Sequence, residues 1–168
     1  PRDRAQTTNY LLLCDISHAK LVNLRPEAIE HEFVNTTLTR ESRVAFEVST
    51  ELWERSLPGA KHVEQILVPL IRDLGIGLEL PLYEEALTHF LGGEPVVLQN
   101  VEVFGNDVSL GTQRLRLAAP RVAFKLTALT DQLDAFESHA RRLFAHTQLE
   151  AILWINLTRE LVRFATLK

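Results

Sequence analysis

The chain has 168 residues, enough for one domain with a hydrophobic core or for one domain plus part of another. Its 46% hydrophobic and 24% charged content is that of an ordinary globular protein, and no apolar run reaches the roughly 18 residues of a membrane helix, so a membrane is not an expected partner. The single cysteine, Cys14, excludes an internal disulfide and a cysteine-based zinc cluster and predicts a reducing, cytoplasmic location.

The net charge of −4 argues against a protein that coats nucleic acid nonspecifically. The charge is uneven, because residues 113–168 hold nine Lys/Arg and five Asp/Glu, a balance of +4. Two interpretations follow: a solvated surface with uneven charge, or a basic face near the C-terminus that meets a polyanion.

Residues 1–56 predict one helix and three strands. The predicted elements are a helix over 4–14 with Tyr10, Leu11 and Leu13 inward, strands over 19–24 and 28–35, a loop over 36–42 and a strand over 43–49. Proline presets one turn torsion, so Arg25-Pro26-Glu27 is expected to connect the first two strands.

The remaining residues predict an α+β order, an α/β/α-like arrangement in which helices cover a sheet. The predicted elements are a helix ending at Leu74, a helix over 81–91, strands over 96–104, 108–117 and 122–126, a helix over 131–146 and strands over 151–157 and 161–167. Gly105-Asn106-Asp107 tolerate positive φ and therefore predict a hairpin between the first two of those strands.

The beginning and end of the chain repeat one pattern at an offset of 133 residues. At this offset Asn23 lies over Asn156, and a helix, a strand, a turn and a strand coincide without a gap. The coincidence arises by chance, or the chain holds two tandem copies of one domain, of which the first is present only as its tail. Because one helix and two strands cannot bury an apolar face alone, residues 1–35 are expected to dock onto the rest or onto another chain.

The stretch Leu74-Gly75-Ile76-Gly77-Leu78-Glu79-Leu80-Pro81-Leu82-Tyr83 resembles the signature of GxxExxY proteins, a group of the PD-(D/E)XK nuclease superfamily. Gly77 and Tyr83 match the first and last letters. The glutamate position falls on Leu80, with Glu79 one residue early. The resemblance covers roughly 60–168 and implies a restriction-endonuclease-like core, a central mixed sheet flanked by helices.

The N-terminal residues resemble the other end of the same family. Ala5-Gln6-Thr7-Thr8-Asn9-Tyr10-Leu11 is similar to the Gln-x-x-x-Tyr helix of RecB-like nucleases, in which the glutamine supports the active site. Gln6 and Tyr10 are one helical turn apart and point the same way. The alternative is a helix surface with one buried tyrosine. The resemblance implies three regions: the closing helix and two strands of a nuclease-like domain (1–36), a connecting strand and loop (37–56) and a degenerate nuclease-like domain (57–168).

The resemblance also implies what catalysis would require. The family binds Mg²⁺ with an aspartate and with a Glu-x-Lys on the next strand; here the aspartate falls near Arg116 and the Glu-x-Lys falls on Lys125-Leu126-Thr127. No acidic residue lies between 108 and 130. We therefore expect no metal site in this domain. Glu79 is the one substitute carboxylate, and Mg²⁺ is a cofactor only if the chain is active.

The same positions are basic and suggest phosphate contacts. Arg114, Arg116 and Lys125 are candidates to bind DNA phosphates without a metal, and Arg141 and Arg142 would extend that patch. The alternative is that these side chains cover the sheet edge or pair with nearby acids.

These expectations combine into one leading hypothesis and two rivals. The leading one is a non-catalytic nuclease-like domain that supports, dimerises with or positions DNA for an associated nuclease domain; its expected partners are DNA and another copy of the chain or an upstream nuclease domain. One rival is part of an active Mg²⁺-dependent nuclease, in which Gln6 and Tyr10 complete a site whose acids lie upstream. The other rival is a protein-interaction module.

Overall fold

A computed structural model describes residues 2–25 and 28–168, so the turn predicted at Pro26 and Glu27 lies outside the described residues. The helices are α1 (Arg2–Leu13), α2 (Arg40–Val44), α3 (Ala60–Leu74), α4 (Leu80–Phe90), α5 (Glu94–Val97) and α6 (Leu133–Ala145). The strands are β1 (His18–Asn23), β2 (Glu30–Asn35), β3 (Glu47–Leu52), β4 (Leu98–Gly105), β5 (Val108–Ala119), β6 (Val122–Thr127), β7 (Ala151–Leu157) and β8 (Leu161–Leu167).

A six-stranded sheet in the order β3-β8-β7-β6-β5-β4 forms the centre of the molecule. Strands β4, β5 and β6 are antiparallel neighbours, whereas β6 and β7 are parallel and are connected through α6. The sheet ends with the antiparallel hairpin β7–β8 and the parallel edge strand β3. Helices α3 and α4 pack against one face and α6 packs against the other. The predicted α+β fold with a central mixed sheet flanked by helices is therefore confirmed.

Residues 36–49 follow only in part the prediction of a loop over 36–42 and a strand over 43–49: the strand begins at Glu47, and residues 40–44 form helix α2, which was not predicted. Helix α2 forms because Thr39 and Ser42 cap it reciprocally: Ser42 N donates to Thr39 Oγ1 (3.3 Å) and Thr39 N donates to Ser42 Oγ (3.1 Å). Strand β3 follows it and pairs with β8. The strand of the segment 37–56, predicted to be a connecting strand and loop, is thus an edge strand of the main sheet.

The strand predicted from Val96 begins later, at Leu98. Residues 94–97 form the single helical turn α5, with Pro95 near its start. A backbone N–H at that position would have no partner within the helix, so the proline costs no hydrogen bond.

Strands β1 and β2 form a separate two-stranded sheet, against which α1 packs. This unit contacts the larger domain through α1. Asn9 Nδ2 donates to Glu79 Oε2 (3.0 Å), and Glu79 N donates to Asn9 Oδ1 (3.1 Å). Leu11 and Leu12 are buried, so the expected docking of residues 1–35 is seen in these contacts. Tyr10 and Leu13 were predicted to point inward, which was wrong: they are 59% and 48% exposed.

Arg43 connects this unit to the domain. Its side chain is 3% exposed and donates to the carbonyl oxygens of Ile76 (3.0 Å), Leu12 and Leu74. Leu12 and Leu74 lie in the last turns of α1 and α3, where carbonyls have no partner within their own helix. One guanidinium therefore satisfies the C-terminal ends of two helices. Burial lowers the pKa of Arg43.

The repeat at an offset of 133 residues extends to strand pairing. Ala19 pairs with Val34 in the first hairpin, and adding 133 to both numbers gives Ile152 and Leu167, which pair in the second. Four other pairs of the first hairpin follow the same rule, and each hairpin is preceded by a helix. The two hairpins therefore share one pairing register. Sequence similarity alone would not require the same residues to pair.

Candidate functional site

The residues that resemble the GxxExxY signature build the connection between α3 and α4. Gly75 and Gly77 have φ of 74° and 96°, the left-handed region that favours glycine. The buried Tyr83 hydroxyl donates to Gly75 O (2.5 Å) and accepts from Leu78 N (3.3 Å), which closes this turn. Burial raises the pKa of Tyr83, because the phenolate would lose its hydration. Leu80, at the glutamate position, begins α4 and packs against the core.

The candidate catalytic residues of the sequence lie at the contact with α1 and on its surface. Glu79 bonds Asn9 of α1, while Arg116 and Lys125 contact a different carboxylate. Gln6 Nε2 donates to the Tyr10 hydroxyl (3.2 Å), and both side chains are exposed. The structure thus brings Gln6 and Tyr10 together and places Glu79 apart from the basic candidates.

The carboxylate that contacts the basic candidates is Glu84 of α4, a residue that the sequence reasoning missed. It is 8% exposed. Its Oε2 lies 3.2 Å from Arg116 Nη1, and its Oε1 lies 3.1 Å from Lys125 Nζ. The helical pattern of α4 contained a signal for it, because Glu84 lies on the buried face of the helix with Tyr83 and Leu87. A carboxylate on a buried face needs a cationic or hydrogen-bonding partner.

The path of β5 explains why these cations meet. Strand β5 pairs with β6 only at Leu117↔Ala123 and Ala119↔Val122, and its earlier residues leave β6 to form a hairpin arm with β4. Lys125 lies beyond the last β5–β6 pair, where the edge of β6 facing β5 is unpaired. Arg116 and Lys125 consequently reach the carboxylate of Glu84 at the fork between the two strands.

A groove of about 350 Å³ runs beside this fork, between β5, β6 and α6. Its charged lining residues are all basic, and we call it the cationic groove. The basic side chains that line it are Arg114, Arg116, Lys125 and His139. Leu143 also lines it, and His139 and Leu143 occupy the positions that correspond to Gln6 and Tyr10 at the 133-residue offset.

The five predicted phosphate-binding residues do not form one patch. Arg114 is 64% exposed, with Glu94 at 4.0 Å, and lines the cationic groove with Arg116 and Lys125. Arg141 instead bonds Glu137 (2.8 Å) and the carbonyl of Lys168 at the end of β8. Arg142 is exposed, and like Arg141 it is not among the groove-lining residues.

The donor set of the site does not fit a magnesium ion. Mg²⁺ takes several oxygen ligands. Over 2–25 and 28–168, no three His, Cys, Asp or Glu residues are grouped so as to hold a metal ion. The single carboxylate at the fork already pairs with two cations, which leaves a net positive charge that would repel a divalent ion placed beside Glu84.

Comparison with known proteins adds no relative. No protein-family model, curated protein or solved structure matches the chain. No helix in the described part of the chain is both long and apolar enough to cross a bilayer.

Proposed function

We propose that residues 57–168, with the edge strand β3, form a non-catalytic nuclease-like domain of the GxxExxY group that binds DNA phosphates in the cationic groove. In this role the domain positions DNA for an associated nuclease domain. The order of elements supports the assignment. A helix that follows Gly77 and carries Tyr83 precedes a hairpin, a further strand, a helix and two closing strands on one mixed sheet.

One observation carries the non-catalytic part of the proposal: Glu84 is held by Arg116 and Lys125 at the fork between β5 and β6. In the family that the chain resembles, carboxylates at this strand pair hold the metal ion. Here two side-chain cations neutralise one carboxylate, so the charge that a metal would supply comes from the protein itself. A buried carboxylate without such partners would cost several kcal/mol, roughly 3–5.

Phosphate binding follows from the charge that remains. Arg114, Arg116 and Lys125 exceed the carboxylate of Glu84 by two positive charges, and they exceed Glu84 and the Glu94 that lies 4.0 Å from Arg114 by one. Arg114 and Lys125 are about half exposed or more, so their donors can reach a backbone phosphate while Lys125 still contacts Glu84. Such contacts bind the backbone without reading the base sequence.

Two further elements belong to the proposal. The exposed Gln6–Tyr10 pair favours the second candidate function, in which α1 and its hairpin belong to an active nuclease domain that supplies the acids. The lone Cys14 is free and exposed, which is compatible with a cytoplasmic location.

A salt titration tests DNA binding. Fluorescence anisotropy with a labelled duplex should show an affinity that falls steeply with salt from about 50 mM upward. Arg114→Gln should weaken binding and reduce the slope of log affinity against log salt by about one. The control Arg72→Gln removes an exposed arginine on α3, across the sheet, and should leave the slope unchanged. Salt-insensitive binding, or equal effects of the two variants, would refute the proposal that DNA phosphates bind in the cationic groove.

A further inference from the structure

The strands that cover the second hairpin have no counterpart around the first. Strand β6 runs parallel to β7, and β3 runs parallel to β8, so each strand of the second hairpin is paired on both edges. Among the described residues, β1 and β2 pair only with each other. A two-stranded hairpin with two unpaired edges is marginal by itself and readily accepts further strands.

The face of the first hairpin opposite α1 is also uncovered. Its residues are Lys20, Val22, Leu24, Ile29, His31 and Phe33. Leu24, Ile29 and Phe33 are 76%, 70% and 61% exposed. At the 133-residue offset most of these positions correspond to buried residues of β7 and β8, which pack into the core formed with α3 and α4. An exposed apolar face of this kind marks an interaction surface.

We infer that α1 and hairpin β1–β2 close a second mixed-sheet core, of the same plan as β3–β6 with their helices, that precedes α1 in the same polypeptide. The second unit gives the connectivity: β6 ends at Thr127 and α6 begins at Leu133, so the core comes immediately before its closing helix. The same order places the partner core just before α1. This inference specifies where the associated domain of the proposed function lies. It rests on the proposed function only for the statement that this domain is nuclease-like.

The repeat specifies how the partner docks. One partner strand runs parallel to β1, as β6 runs beside β7, and another runs parallel to β2, as β3 runs beside β8. The two positions Leu153 and Phe164, buried in the second unit, correspond to Lys20 and His31. The partner core therefore presents carboxylates or other acceptors opposite these two side chains. A copy of the apolar core of residues 47–127 would not satisfy them, and in a second copy of this chain that place is already filled by β7–β8.

Asn23 is the residue that identifies the missing loop. Its counterpart Asn156 is 4% exposed and fixes the loop after β6: Asn156 Oδ1 accepts from Thr127 Oγ1 (2.7 Å) and Leu129 N (2.8 Å), and Nδ2 donates to Leu129 O (2.8 Å). Asn23 is exposed, and among the described residues its side chain contacts only its own hairpin: Nδ2 donates to Glu30 Oε2 (3.4 Å) and Oδ1 accepts from Arg25 N (3.2 Å). In the completed domain, Asn23 binds the loop that follows the partner strand beside β1.

Hydrogen exchange tests the inference on this chain and on the polypeptide extended by its native upstream sequence. Amides of β1 and β2 should exchange at least about 100-fold more slowly in the extended protein, because both strand edges become paired. Asn23→Ala should leave the melting temperature of this chain unchanged and lower that of the extended protein by roughly 2–8 °C. Asn156→Ala, the matched control, should lower both.

Three results would overturn the inference: unchanged exchange of β1 and β2 in the extended protein, a neutral Asn23→Ala there, or protection that appears in this chain alone as its concentration rises. The last result would assign the surface to a second copy of the chain. None of these experiments measures DNA affinity. A failure of the DNA-binding proposal can therefore be distinguished from a failure of the proposed docking onto hairpin β1–β2.

Discussion

Hairpins β1–β2 and β7–β8 have the same register and each follows a helix, but their surroundings differ. Every residue of β7 is buried, whereas β1 has none that is buried. The difference arises from the neighbouring strands and helices, which the second hairpin receives from residues 47–127. Local sequence therefore determines the pairing of a hairpin, and segments distant in the chain determine whether its faces are buried.

The largest expected effect compares equivalent positions in the two hairpins. Phe164 is fully buried and packs edge-on against Trp53, with 5.1 Å between ring centroids. Phe164→Ala should lower the free energy of unfolding by about 3–5 kcal/mol. His31→Ala, at the equivalent exposed position, should change it by less than about 0.5 kcal/mol. Urea denaturation measures both, and similar losses would show that the two hairpins are equally buried in solution.

The next effect separates the two regions from each other. Arg43→Met removes the donors to Leu12, Leu74 and Ile76 and should cost about 2–4 kcal/mol. Because α1 loses its connection to α3, limited proteolysis should release the first 35 residues before the domain is cut. The control Arg40→Met alters an exposed neighbour and should leave cleavage unchanged. Equal resistance of wild type and Arg43→Met would mean that the two regions are held together by other contacts.

A smaller effect concerns the turn before α4, to which α1 docks. Tyr83→Phe loses the hydrogen bond to Gly75 and should cost about 1 kcal/mol at neutral pH. The folded pKa of Tyr83 lies above that of an unfolded tyrosine, about 10, so its stabilisation is complete below that pH and declines as the pH rises through the folded value. Wild type should therefore lose more stability than Tyr83→Phe above about pH 10.

Denaturation between about pH 9 and 12 measures this difference. Tyr10→Phe is the matched control, because Tyr10 is exposed and should alter neither the neutral nor the alkaline stability. Parallel alkaline losses in wild type and Tyr83→Phe would contradict the burial of the phenol.

The smallest effect concerns Glu79, the one carboxylate among the candidate catalytic residues. Its contacts with Asn9 assign it to the docking of α1, and because Glu79 is exposed, Glu79→Ala should cost only about 0.5 kcal/mol, measured by urea denaturation. Neither wild type nor variant should cut plasmid DNA with Mg²⁺ or Mn²⁺. Cleavage by wild type that disappears in Glu79→Ala would make Glu79 a catalytic residue.

Periodicity predicted most of the helices and strands because their apolar positions repeat at helical or strand spacing. Helix α2 was missed because it has five residues and depends on the cap between Thr39 and Ser42 and on the distant contacts of Arg43. The pairing of β3 with β8 joins residues more than 100 apart, which no local pattern reveals.

The candidate site was predictable only in part. The basic positions 114, 116 and 125 and the lack of acids on β5 and β6 follow from the sequence. The partner Glu84 lies 32 and 41 residues away from Arg116 and Lys125, on a helix that crosses the strand fork, so their contact depends on the folded chain. Arg141 was predicted to extend the basic patch, but it donates to the carbonyl oxygen of Lys168 at the end of β8. That contact also depends on the folded chain.

We propose that Arg116 and Lys125 supply at Glu84 the positive charge that a metal ion would otherwise supply. Electron paramagnetic resonance of Mn²⁺ titrated into wild type and Glu84→Gln tests it most directly. We expect the same concentration of free Mn²⁺ with both proteins. An ion bound by wild type and lost in Glu84→Gln would contradict it.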